Sequence, residues 1–164
     1  MKQKRLILFS WALVFAVAVM IFWFSSQNGE DSMRTSGGVV ALILRLFVPG
    51  FDAMTYRERM AFYERLQYLV RKGAHFTDFA MLGASLRLLF HVLVLRRPML
   101  WAWVFGALYA CTDELHQLIL GTRTAGWTDV CIDSAGGLTG TLAVTLLLWL
   151  CGQKRRRTCK NTER

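Results

Sequence analysis

The groups in this chain best suited to chemistry are two histidines and the carboxylates three or four residues away from them. His75 and Asp78 stand at i and i+3, so a helix places both on one face. Asp113 and His116 repeat that spacing in reverse order, with Glu114 between them and Gln117 four residues after Asp113. Asp129 and Asp133 are again four apart. A carboxylate one turn from an imidazole can orient it as a general acid or base. The same spacing on facing helices also resembles the way helical bundles hold metal ions. Lys72 and Arg123 flank the set and can hold a phosphate or carboxylate, Arg123 through two parallel bonds. Gln27, in Ser25-Ser26-Gln27-Asn28, is a further polar candidate.

These residues belong to apolar stretches long enough to cross a bilayer. Leu6 to Phe24 is apolar apart from Ser10, and about 20 residues at 1.5 Å each span a hydrocarbon core of roughly 30 Å. Phe22-Trp23-Phe24 fills the place where small residues would mark signal cleavage, so an uncleaved first span is expected. Ala74 to Leu95, Pro98 to Leu120 and Val130 to Cys151 are three more candidates. Trp23 and Trp127 fall at one set of helix ends, and Trp101, Trp103 and Trp149 at the other, as interfacial belts require. Between the first two spans, 38–48 is too short to cross and reads as interfacial or re-entrant. Tyr56, Met60, Tyr63, Gln67 and Val70 recur at helical spacing, which predicts a surface helix over 54–72 running into the second span.

Composition supports a membrane protein. Of the 164 residues, 54% are hydrophobic and 19% charged, and mean hydropathy is +0.34. A soluble domain carries about 25% charged residues, and a disordered chain has few aromatics; this one has six Trp and eleven Phe. Two prolines exclude a collagen-like or Pro-rich linker. The net charge of +9 is concentrated at the ends of the apolar blocks, so it reads as a topology signal rather than a nucleic-acid surface. With four spans and both termini in the cytoplasm, the inner side holds Lys2, Lys4, Arg5, Arg96, Arg97 and the basic run 154–157. The outer side mixes its basic residues with Glu30, Asp31, Asp52, Glu58 and Glu64.

That topology sets the depth of the polar residues. His75, Asp78 and Asp133 fall about 6 Å, and Asp113 about 9 Å, below the outer boundary. A charge within a bilayer costs about 2.5–3.5 kcal/mol on insertion scales, so such residues face a bundle interior and find partners. Arg87 and His91 fall in the inner half, from which Arg87 can snorkel to the cytoplasm. Small residues (Gly136 with Gly140, Gly106 with Ala110, and Gly83-Ala84-Ser85) let the helices approach. Plain structural roles remain open beside the chemical ones. The histidines can simply satisfy buried carboxylates, and Asp113 and Glu114 can pair with Lys72 or Arg123 to lock the bundle. Cys111, Cys131, Cys151 and Cys159 have no metal-ligand spacing, and a Cys111–Cys131 disulfide is conceivable but not indicated.

Phe24-Ser25-Ser26-Gln27, Arg71-Lys72-Gly73-Ala74-His75-Phe76-Thr77-Asp78-Phe79 and Asp113-Glu114-Leu115-His116-Gln117 precede Arg123, Asp129, Asp133, Gly136 and Gly140. This series resembles the VanZ-like family of small bacterial membrane proteins and covers nearly all of the chain except its tails. Asp78 and Phe79 stand where the family pattern usually has Glu and often Tyr. The resemblance implies a role at the cell envelope, and the founding member is associated with low-level resistance to the glycopeptide teicoplanin.

The combined expectation is an all-α membrane protein with about four transmembrane helices, and amphipathic or interfacial helices between the first and second. One domain would cover 1–153, followed by a basic, disordered cytoplasmic tail over 154–164. In the bacterial plasma membrane, an outward-facing site would bind or modify a lipid-linked cell-wall precursor or a lipoglycopeptide. Its acid–base set would be His75, Asp78, Asp113, Glu114, His116, Gln117 and Asp133, with Lys72, Arg123, Asp129 and Gln27 contacting the ligand. No cofactor is required; a divalent metal at His75, Asp78, Asp113 and His116 is the less favoured alternative. A membrane-embedded hydrolase or transferase, a non-catalytic binding or shielding module, and a small carrier or proton relay remain as alternatives.

Overall fold

The computed structural model describes the backbone of residues 2–27, 29–121 and 126–162, and the side chains of these except 29–36, 52 and 154–162. Among the described residues there are five α-helices and no strand. They are α1 (Lys2–Ser25), α2 (Gly29–Phe47), α3 (Tyr56–Val92), α4 (Pro98–Leu120) and α5 (Trp127–Thr162), with a 3-10 turn at Phe51–Ala53. By length and composition, Lys2–Ser25 and Trp127–Gln153 are apolar enough to cross a membrane. Little of either is buried within the protein, and Phe9, Phe15, Trp23, Leu146, Leu147 and Trp149 are exposed. A core helix of a soluble protein would bury such side chains, so the two apolar helices point to membrane association.

Helix α3 packs against every other helix, most extensively against α5. It begins at a capping box: the Thr55 hydroxyl accepts from the Glu58 N–H, and Glu58 accepts from the Thr55 N–H and hydroxyl. Those bonds, the hydroxyl's first, hold the exposed Glu58 carboxyl below its ordinary range. The helix runs unbroken for 37 residues, about 55 Å at 1.5 Å per residue. The expected helix over 54–72 does run into the segment that follows: residues 56–72 and 74–92 belong to one helix with no break at Gly73. Helix α2 lies against this extension through buried Val40 and Leu44, and Gly37 leaves room for the Tyr63 hydroxyl. The apolar part of α2, Gly37–Phe47, is too short to span.

The α3–α5 contact is a backbone contact. A Cβ built on Gly83 would collide with the carbonyl of Gly137, one on Gly136 with that of Phe76, and one on Gly140 with that of Ala80. The buried Thr141 hydroxyl then donates to the Gly83 carbonyl at 3.2 Å. Gly106 differs: no atom stands within 4 Å of its added Cβ, so the expected small-residue approach on α4 is not a backbone contact there. On the adjoining face of α3, Phe79, Leu82, Leu86, Leu89 and Phe90 pack with Val17 and Ile21 of α1 and Ala102 and Ala110 of α4. The Tyr109 hydroxyl fastens α4 to α1 by donating to the Ala18 carbonyl at 2.8 Å.

Two further expectations change. The chain over 154–162 is helical, not disordered, because it extends a helix already nucleated and its Lys and Arg are good helix formers. Arg87 does not snorkel; it is buried, and its Nε donates to Thr145 Oγ1 at 2.9 Å.

Gly140→Ala should cost about 1–3 kcal/mol or more through overpacking. Gly73→Ala, with open space at its Cβ, should be neutral or stabilising by about 0.5–1 kcal/mol. Thermal unfolding of both purified variants in detergent checks the pair, and equal effects would contradict the close approach.

Candidate functional site

The glycine contact fixes what lies one turn away. With Gly136 against the Phe76 backbone, Asp133 of α5 comes beside His75 of α3. His75 Nδ1 and Asp133 Oδ1 are 3.9 Å apart. Helix α4 brings Asp113 to the same place, so that ligand atoms of His75, Asp113 and Asp133 all lie within 4.8 Å of one another. Asp133 is 2% exposed and Asp113 4%. Asp78 is also within Coulombic reach of Asp113.

Asp113 is held from two helices. Its Oδ2 accepts from the Ser25 hydroxyl of α1 at 2.8 Å and from Gln117 Nε2, one turn along α4, at 2.9 Å. Ser25 is wholly buried and stands 3.5 Å from the same Gln117 nitrogen. Asp133 Oδ1, by contrast, is buried and has no hydrogen-bond partner.

His116 lies apart from that trio, on the α1 side of α4. Its ring is 4.7 Å from that of Phe22, and its Nε2 is 3.1 Å from the Ser26 hydroxyl. Ser26 has one proton, and it goes to the Phe22 carbonyl at 2.7 Å. We therefore assign His116 as the Nε2–H tautomer, donating to Ser26. In this tautomer the imidazole donates and the Ser26 hydroxyl is directed to the Phe22 carbonyl.

Lys72, Asp129, Glu114 and Gln27 are the remaining described candidates. Lys72 is ion-paired with Asp129 at the start of α5, and its ammonium lies 5.2 Å from the centre of the Tyr68 ring. The Glu114 carboxylate accepts from the Gly126 N–H at 2.6 Å, tying the residue before α5 to α4. Gln27 follows the last turn of α1, its N–H donating to the Phe24 carbonyl. Arg123 lies outside the described residues. Between α4 and α5 is an open cavity of about 260 Å³ lined by Glu114 together with Leu115, Leu118, Trp127 and Val130.

Gln117 does meet Asp113 at the i+4 spacing, but the other observed pairings cross between helices. His116 pairs with Ser26 rather than Asp113, and Asp133 takes the place beside His75 and Asp113 that the expected metal set gave to Asp78 and His116. The reason is rotational: interhelical contacts decide which face of each helix turns inward. Lys72, expected to grip an anionic ligand, has its charge matched by Asp129. Ser25 and Ser26 were legible as a polar cap or a wall of the site at the end of α1, but no spacing rule points from them to Asp113 and His116. The three described cysteines are exposed free thiols, so Cys111 and Cys131 form no disulfide.

A family model described as VanZ/LLP1 matches residues 9–149. The chain belongs to the VanZ/LLP1 family. No curated protein and no solved structure matches it. The match spans α1 to α5 and contains every residue of this VanZ/LLP1 protein's polar cluster.

Ser25→Ala removes a donor from a buried carboxylate and should destabilise the protein by about 1–3 kcal/mol. Ser26→Ala, at a half-buried site, should cost less. Denaturation of the two purified variants ranks them, and the reverse order would contradict the assigned bonds.

Proposed function

We propose that this VanZ/LLP1 protein is a four-span protein of the bacterial plasma membrane with both termini in the cytoplasm. Its polar cluster faces outward and binds an amphiphile of the cell envelope, such as a lipid-linked cell-wall precursor or a lipoglycopeptide. The spans are α1, α3 from about residue 74, α4 and the apolar part of α5. The observation that carries this reading is the convergence of His75, Asp113 and Asp133 from three helices at one end of an apolar bundle. Ionisable residues are costly within a bilayer and are retained where they do work. The adjoining cavity suits one lipid chain, so a tail can stay among apolar side chains while its head reaches the cluster.

Binding is favoured over bond cleavage. The Ser26 hydroxyl is directed to the Phe22 carbonyl, and Asp113 is occupied by Ser25 and Gln117. By family, low-level teicoplanin resistance is the phenotype to examine. A second reading, a shielding module with a purely structural cluster, draws on the same saturation of Asp113.

Expression of the wild type should raise the teicoplanin concentration a susceptible host tolerates. His75→Ala and Asp113→Asn, at equal membrane abundance, should abolish that increase. Full protection by both variants would exclude the binding site, and loss of abundance without loss of protection per molecule would favour shielding. A fluorescent protein that folds only in the cytoplasm should fluoresce at either terminus; a dark C-terminal fusion would contradict the topology.

A further inference from the structure

We propose that His75, Asp113 and Asp133 form a site for a divalent first-row transition-metal ion. The three come from α3, α4 and α5 and offer one imidazole nitrogen and two carboxylate oxygens. Mixed nitrogen and oxygen donors suit zinc or manganese, whereas calcium and magnesium prefer oxygen alone. Two carboxylates balance the two charges of the ion, which makes a neutral centre in surroundings hostile to net charge.

Asp133 supplies the independent sign of a ligand. Only 3% of its side chain is exposed, yet Oδ1 has no hydrogen-bond partner. His75 Nδ1 faces it at 3.9 Å, too far for a hydrogen bond. A native fold rarely leaves a buried carboxylate oxygen in that state without an ion or water for it. Asp113 shows the complementary feature. Ser25 and Gln117 both donate to its Oδ2, the kind of outer support that orients a metal-binding carboxylate. The largest donor separation of 4.8 Å exceeds the roughly 3–4 Å found around an ion bound at about 2.0–2.2 Å. Loading therefore draws the side chains inward by about 1 Å, a shift within reach of rotamer adjustment.

Three protein ligands leave coordination positions open for water or for a phosphate or carboxylate of a ligand. This last step rests on the envelope-binding reading and explains how a cluster rich in carboxylates accepts an anionic head. Ion binding itself does not depend on it.

The test uses tag-free, full-length protein in detergent, stripped with chelator and dialysed against zinc or manganese. Metal analysis should find about one equivalent per chain at saturation. The ion should slow modification of His75 by diethyl pyrocarbonate at least fivefold and leave exposed His91 unchanged, as read by mass spectrometry of the wild type. His75→Gln and Asp133→Asn should each weaken binding at least tenfold, whereas His91→Gln should not. Absence of a saturable equivalent for either ion overturns the site, as does saturation that leaves His75 reactivity unaltered; both are read on wild-type protein, whatever the variants' folding. Teicoplanin binding without a saturable ion overturns this inference alone, and ion binding without any envelope ligand overturns only the earlier reading.

Discussion

The contact between α3 and α5 at Gly83, Gly136 and Gly140 is the constraint on which the rest of the molecule depends. Each of these glycines leaves space that a backbone carbonyl of the facing helix occupies. In a membrane, helices gain little by hiding apolar surface from one another, so close backbone packing must supply the attraction. The contact also sets register. Because Gly136 meets the Phe76 backbone, His75 and Asp133 become neighbours, and α4 completes the group with Asp113. A shift of one residue along α5 would rotate Asp133 by about 100° and dissolve the cluster.

The layers around that contact divide the work. Apolar packing of α1 and α4 against the adjoining face of α3 holds the bundle together. Hydroxyls at the end of α1 reach across to Asp113 and His116, which makes α1 part of the site. The Lys72–Asp129 pair and the Glu114–Gly126 bond fasten α3 and α4 to the start of α5. Deeper along α3, the single bond from Arg87 to Thr145 ties a buried cation to α5.

Much of this was readable from the sequence, for identifiable reasons. Apolar length marks the two membrane-capable helices, and the acids and histidines stand out because such residues are rare in apolar segments. Spacing reports which residues share a face of one helix. It does not report which face meets a neighbour, so the partners of His116, Lys72 and Arg87 were not readable. The helix over 54–72 running into the next segment was readable from its apolar spacing, but its packing against α2 was not. Gly106 makes the same point: a small residue permits close approach without compelling it.

Cysteine pairing in intact cells addresses the central claim most directly, because it reports proximity and sidedness together. In a background lacking the native cysteines, His75→Cys with Asp133→Cys should form an interhelical disulfide on mild oxidation. The single His75→Cys protein should react with a membrane-impermeant maleimide added from outside. Failure of the pair to cross-link, or labelling only after the cells are opened, would contradict the account.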